Sequence, residues 1–173
     1  PYAKSKIQAE KLLVKWSKKQ HVKMGILRLP LVVGKNPPGN LGSMIRAIKS
    51  GKYFRIGQGE SRKSMVVIED VTKCIPKLAE VGGIFNLTDG YHPSFQEIED
   101  TIASVIGKKI LNIPYPLAKV LALIGDMTGD VFPLNSGTLT KITKTLTYSD
   151  TRAREKLDWD PQPALTYLKE IVH

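Results

Sequence analysis

The sequence predicts an α/β fold, and three observations predict it. Helix-like and strand-like segments alternate from one end of the chain to the other. The run from Met24 to Val33 is apolar on both faces except at Arg28, as in a parallel strand covered on both sides. Gly, Ser and Asp punctuate the apolar-periodic segments where helices start and stop. With 173 residues, 42% of them hydrophobic, the chain is long enough to bury a core. No repeat or low-complexity linker divides it, so residues 1–173 read as a single unit.

Taken in order, Ser5 to Gln20 mixes Ile7, Leu12, Leu13 and Trp16 with Lys and Glu, the pattern of an amphipathic helix. Met24 to Val33 is the first strand, followed by the loop "GKNPPGN" and a helix from Leu41 to Ser50 that ends at Gly51. Tyr53–Ile56 and Ser64–Ile68 read as strands around the polar turn "GQGESRK". Asp70 reads as the N-cap of a helix over Val71–Val81, and Ile84–Asp89 as a further strand. Ser94 and Glu97 form a capping box for a helix running to Ile106 and stopped by Gly107. "KILNIP" is strand-like and Leu117–Met127 helical, while the Thr-rich stretch Leu134–Thr147 fits neither period. Ser149 or Asp150 caps a helix to Leu157, and the turn "WDPQP" precedes a last helix over Ala164–Val172. Trp16 and Trp159 read as packing residues.

A net charge of +10 raises the possibility of a nucleic-acid partner. The cations are instead spread from Lys4 to Lys169, with no aromatic-and-basic RNA motif, so no specific nucleic-acid recognition is expected. Part of that charge suits a small molecule bearing phosphates. The longest apolar stretch, Leu117 to Ile124, is interrupted by Lys119 and falls short of the ~20 residues a bilayer span needs. Cys74 is the single cysteine, which excludes an internal disulfide, fits the reducing cytoplasm and reads as a buried structural thiol. His21, His92 and His173 are scattered, so no metal site and no catalytic triad are expected. Arg28 suits a salt bridge as well as a ligand.

Two Tyr-x-x-x-Lys spacings occur, Tyr2–Lys6 and Tyr115–Lys119. On a helix this spacing puts both side chains on one face. A phenol with an ordinary pKa near ~10 exchanges protons at neutral pH only if its phenolate is stabilised, and an ammonium one turn away does that. The spacing alone is unspecific: 6 Tyr and 20 Lys produce it by chance about 0.7 times. Tyr115 is flanked by Pro114 and Pro116 with nothing acidic or phosphate-binding nearby, and reads as a core or surface residue.

Tyr2 has richer surroundings. "PYAKSKIQAEKLL" resembles the active-site helix of the extended short-chain dehydrogenase/reductases, the NAD-dependent nucleotide-sugar epimerases and dehydratases, through Pro1, Tyr2, Ser5, Lys6, Ala9 and Glu10. "ILRLPLVVGKNPPGN", the stretch from "GNLGSM" to "VVIEDV", "GIFNLTDGYHPSFQEI" and "DTRAREKLDWDPQPAL" resemble that family's later segments in the same order. The resemblance implies the C-terminal part of a Rossmann-type doubly wound fold: the last parallel strands plus a mixed α/β substrate-binding lobe. The Gly-rich βαβ half that holds the dinucleotide pyrophosphate has no counterpart in these residues, so a piece of a longer enzyme, inactive alone, is expected.

The resemblance also implies roles. Tyr2 would be the general acid/base at a sugar hydroxyl, and Lys6 would bond the nicotinamide ribose and lower the Tyr2 pKa. Leu29 and Pro30 would border the nicotinamide of NAD or NADP. Asn40 and Leu41 would meet the nucleotide or its diphosphate, Ile56 would lie on the base-binding strand, and Lys63 with Arg62 would grip the diphosphate. The partner would be a nucleotide-diphosphate sugar, and the full-length protein a homodimer. The alternative is a module of the same fold that binds nucleotide sugar or NAD(P) without turnover. Leu31, Val33, Lys35, Lys63 and Asp158 depart from the usual Asn, Tyr, Pro, Arg and Gly. "KNPPGN" and the Arg-Lys-Ser segment are similar to branches acting on amino-sugar nucleotides.

Overall fold

The computed structural model describes residues 2–128 and 134–172, with Tyr2, Ala3 and Thr128 through their backbone only. The elements are α1 (Tyr2–Gln20), β1 (Gly25–Arg28), β2 (Leu31–Val33), α2 (Gly39–Lys49), β3 (Phe54–Ile56), β4 (Met65–Val67) and α3 (Ile68–Val81), followed by β5 (Gly83–Asn86), α4 (Phe95–Ile106), β6 (Leu111–Ile113), α5 (Tyr115–Thr128), α6 (Ser136–Thr143), α7 (Thr151–Leu157) and α8 (Ala164–Ile171). The six strands form three parallel pairs, β1–β5, β2–β4 and β3–β6.

β4 shows why the fold is layered. Met65, Val66 and Val67 are all fully buried, and side chains alternate across a strand. Met65 and Val67 enter a core with Val33, α2, α4 and α8, whereas Val66 enters a second core with α3, Phe85, Leu87, α7 and Trp159. Helices therefore cover both faces of β4, as the α/β reading requires. A third core of Ile56, Ala118, Ala122 and Leu139 sits under α5 and α6. Cys74 is buried in the second core, where desolvation pushes its thiol pKa up, so it is structural as expected.

The structure corrects several boundaries. Met24–Val33 is two strands, because Pro30 has no N–H to donate and the chain shifts partner there: Arg28 still pairs with Asn86, while Leu31 pairs with Met65. Asp70 is not an N-cap. α3 leaves β4 directly at Ile68, and the buried Asp70 carboxylate accepts from the Gln162 backbone N at 2.9 Å and from Lys73 Nζ at 2.8 Å. It fastens the "WDPQP" turn to the start of α3. Trp16 is 49% exposed and packs little, whereas Trp159 is buried and donates to the Thr88 carbonyl at 2.8 Å. The unassigned Leu134–Thr147 contains α6, capped by the Asn135 side chain, followed by a bridge from Leu146 to Lys63. The Ser94–Glu97 capping box is present, and Gly107 closes α4 in the left-handed conformation.

Asp158 ends α7 with φ 54°, the left-handed conformation that a glycine adopts without cost. The backbone demand thus survives the substitution. Asp158→Gly is expected to raise stability by about 0.5–1 kcal/mol, read as a higher midpoint in urea unfolding.

Candidate functional site

An ion pair ties α1 to the sheet. The Arg28 Nε donates to Glu10 Oε2 at 3.0 Å and its Nη2 to Glu10 Oε1, a two-point clamp at the last residue of β1. The clamp holds the Glu10 carboxyl below its ordinary pKa. Lys6 lies one helical turn before Glu10, and Tyr2 another turn earlier, so positions 2, 6 and 10 share a face of α1. Anchoring Glu10 at the end of β1 therefore aims this face at the C-terminal end of a parallel strand, where open α/β sheets hold their ligands. The Tyr2 side chain itself lies outside the described residues. Arg28 takes the salt-bridge role that the sequence left open.

Leu29 and Pro30 occupy the step between β1 and β2. Leu29 is 40% exposed, and Pro30 leaves no orphan N–H, so this step is an apolar lip. The segment Arg62–Ser64 lies against it: the Leu31 backbone N donates to the Ser64 carbonyl at 3.2 Å. Ser64 Oγ is 3.1 Å from His92 Nδ1 and accepts from the Tyr148 backbone N at 2.9 Å. The structure thus brings Leu29, Pro30, Arg62 and Lys63 to one region.

Arg62 and Lys63 are not equivalent. Arg62 is exposed, with its guanidinium donating to the His92 carbonyl at 2.8 Å. Lys63 is buried, and its Nζ donates to the Lys141 carbonyl in the last turn of α6 at 2.9 Å and to the carbonyl of Lys144, the residue that follows the helix. An ammonium there meets the negative end of a helix, and burial lowers its pKa. Lys63 holds α6; Arg62 is the cation of the two that faces solvent.

Asn40 is exposed in the first turn of α2, at the opposite end of β2 from Arg62. Leu41 follows it, but its side chain is in the core, leaving its backbone for any ligand. No side chain caps α2, since Pro38 precedes it, so its first amides are available to an anion. The chain folds tightly there: a Cβ on Gly42 would lie 1.9 Å from the Pro37 carbonyl oxygen, so the loop before α2 requires glycine at 42. The Ile56 side chain is likewise in a core, and β3 can present only backbone at that position. A shallow cleft of about 370 Å³ opens over β1 and β5, lined by Arg28, Ile84, Phe85, Asn86, Ser149 and Arg152, with the Arg152 guanidinium 5.1 Å from the Phe85 ring. Sequence reasoning did not pick out Ser64, His92 or Arg152. Their contacts join residues far apart in the chain, which no local spacing announces. Among the described residues no group of His, Cys, Asp and Glu could hold a metal ion.

The profile of the NAD dependent epimerase/dehydratase family matches residues 1–87, from the start of α1 through β5. The chain belongs to this family. Within the epimerase/dehydratase family it is 26% identical over 163 residues to N-acetyl-α-D-glucosaminyl-diphospho-ditrans,octacis-undecaprenol 4-epimerase of Escherichia coli O157:H7, covering 87% of this chain and 49% of that protein. It is 26% identical over 169 residues to UDP-glucose 4-epimerase of Vibrio cholerae, covering 95% of this chain and 50% of that one. Among solved structures, the UDP-glucose 4-epimerase of Thermotoga maritima with UDP-glucose superposes with a TM-score of 0.73 at 21% identity, over 99% of this chain and 52% of that one. The fold is therefore that of an epimerase of this family, and the chain spans about half the length of the curated relatives it matches.

Proposed function

We propose that these residues form the substrate-facing half of an NAD(P)-dependent nucleotide-sugar epimerase or dehydratase, with Tyr2 and Lys6 as its catalytic pair. The observation that supports this reading is the Arg28–Glu10 clamp, which ties the α1 face bearing positions 2, 6 and 10 to the last residue of β1, next in the chain to the apolar lip at Leu29 and Pro30. Lys6 and that lip fit the nicotinamide and its ribose, and the bound dinucleotide would supply the acceptor and donor of hydride. Tyr2 takes the proton from a sugar hydroxyl as that carbon is oxidised and returns one when the carbonyl is reduced. Lys6 favours the phenolate by Coulomb attraction across one helical turn. Asn40, the backbone of Leu41 and of Ile56, and Arg62 bind the nucleotide diphosphate, while Lys63 keeps the Arg62 segment in place through α6. A sugar on a diphosphate is the substrate class common to the names of the Escherichia coli and Vibrio cholerae relatives, carried on undecaprenol in one and on uridine in the other. The same reading puts the enzyme in the cytoplasm as a homodimer, for which α1 offers exposed Ile7, Leu12, Leu13 and Trp16.

The test is conversion of UDP-N-acetylglucosamine and UDP-glucose by the full-length protein supplied with NAD or NADP, followed by NMR of the sugar product. Appearance of a 4-epimer or a 4-keto sugar supports the reading; binding of the nucleotide sugar without any product would replace it by the non-catalytic module. Arg62→Ala is expected to weaken UDP-sugar binding about tenfold, since a charge-assisted bond to phosphate is lost. Lys63→Ala should instead lower thermal stability, because the α6 carbonyls and the buried pocket lose their donor. Calorimetric titration with UDP, beside a melting curve, separates the two effects. Unchanged UDP affinity in Arg62→Ala removes it from the diphosphate site.

A further inference from the structure

α5 is turned inside out. Its packed side consists of Ala118, Ala122 and Gly125, small residues set against α6 and the β3–β6 pair. The large apolar side chains point away: Leu117, Val120, Leu123 and Met127 are 51%, 54%, 57% and 88% exposed, with Pro116 and Ile124 exposed among them. At 3.6 residues per turn these six positions cover about 120° of the helix surface, an arc that a helix of a globular protein ordinarily turns to its core. Phe54 and Leu111 widen the patch. They are cross-strand partners, both exposed, and lie two residues from Ile56 and Ile113 on the strand face that packs under α5.

We propose that this face of α5 seats the protein on an anionic lipid surface. Charge selects the occupant. Residues 108–148 hold five lysines, Lys108, Lys109, Lys119, Lys141 and Lys144, against two aspartates. Of these aspartates, Asp126 spends its carboxylate on the backbone N and Oγ of Ser136. A second copy of the chain would set these lysines against their like, whereas anionic headgroups neutralise them. The geometry fits an interface and not a span: no helix among the described residues is long and apolar enough to cross a membrane, and α5, at 14 residues, is a length suited to lying in the plane. Tyr115 opens the helix, 45% exposed, and Lys119 follows one turn later at the edge of the apolar arc. Both side chains pair an apolar body with a polar tip, the combination that settles at headgroup level. The second Tyr-x-x-x-Lys spacing thereby acquires a role that is not proton transfer.

The experiment is co-sedimentation of the full-length protein with vesicles of phosphatidylcholine alone and of equimolar phosphatidylcholine and phosphatidylglycerol. Binding is expected to the anionic vesicles and to fall as salt is raised. The triple variant Leu117→Gln, Leu123→Gln, Met127→Gln should lose about tenfold or more in partitioning, and a lowered melting temperature of that variant without any vesicle binding by the wild type would assign the face to packing inside the full-length protein and overturn the proposal. Lys108→Gln with Lys109→Gln and Lys119→Gln should weaken binding at low salt only, and this variant leaves every apolar contact intact. Equal binding by wild type and the apolar variant overturns the proposal, as does indifference to phosphatidylglycerol. Absence of vesicle binding together with a dimer, seen by light scattering, that the apolar variant dissociates would assign the face to self-association instead.

Discussion

Tyr2→Phe in the full-length protein supplied with its dinucleotide is expected to lose sugar turnover by a factor of about 10²–10⁴, the contribution of a positioned acid/base group. Nucleotide-sugar affinity should change little, because in the proposed site the diphosphate is held by Arg62 and the start of α2, on other elements than α1. The loss should fall on kcat. Lys6→Met tests the other half of the pair: without the ammonium one turn away the phenol returns toward its ordinary pKa, and the alkaline shift should appear in the pH profile of kcat. Arg28→Ala provides an indirect check, since it removes the clamp on Glu10 and leaves the side chains of Tyr2 and Lys6 in place. Initial rates across pH for the three variants decide the matter. Turnover near the wild-type level in Tyr2→Phe would remove Tyr2 from its role.

Arg55→Leu should cost about 3 kcal/mol of folding stability, the penalty for leaving one partner of a buried pair charged and alone. Glu99 is 1% exposed and accepts from Arg55 Nε at 2.6 Å and from the Tyr53 hydroxyl at 2.7 Å, while Arg55 also reaches Asp100. Burial already pushes the Glu99 pKa up, against the pull of Arg55 and Tyr53 in the other direction. Removing the guanidinium leaves desolvation less opposed. A carboxyl whose folded pKa is raised destabilises the protein in its charged form, above that pKa, and ceases to do so once both states are protonated. The deficit of Arg55→Leu is therefore expected to be greatest near neutral pH and to shrink as pH falls into the glutamate range. Urea unfolding at several pH values measures it. A deficit independent of pH would show that lost packing, not the isolated carboxylate, is responsible. Replacing Tyr53, Arg55 and Glu99 together by Phe, Leu and Leu should restore most of the stability, because no buried polar group is then left unpaired.

Much of the layered fold is legible along the chain, for reasons that particular residues show. Ser94, Glu97 and Gly107 state both ends of α4 because capping is a local transaction between neighbours in sequence. The doubly apolar run at Met24–Val33 announces parallel strands, but β1 is only half-buried and in β2 only Val33 is fully buried; it is β4, with Val66 between Met65 and Val67, that enters two cores. Pro30 was visible too, yet its consequence was not: whether a proline bends a strand or divides it between two partners depends on what lies alongside. α6 escaped detection because its threonines favour no period strongly and its end is held by Lys63, 78 residues from Lys141. The same contact explains why Lys63, read as a ligand for diphosphate beside Arg62, has its ammonium facing the protein.

What the sequence by itself determined is the family and the alternation of elements, and it offered Tyr2–Lys6 as the proposed pair, since ordered motifs and i, i+4 spacing are properties of the chain read in one dimension. Only the tertiary structure decided which candidates face solvent and which face the core. Leu41 and Ile56 went to the interior, Lys63 to the end of α6, Arg62 to solvent, and the apolar side of α5 outward. The physical reason is that a side chain's burial and partners are set by whatever packs against its element, and those neighbours come from distant parts of the chain.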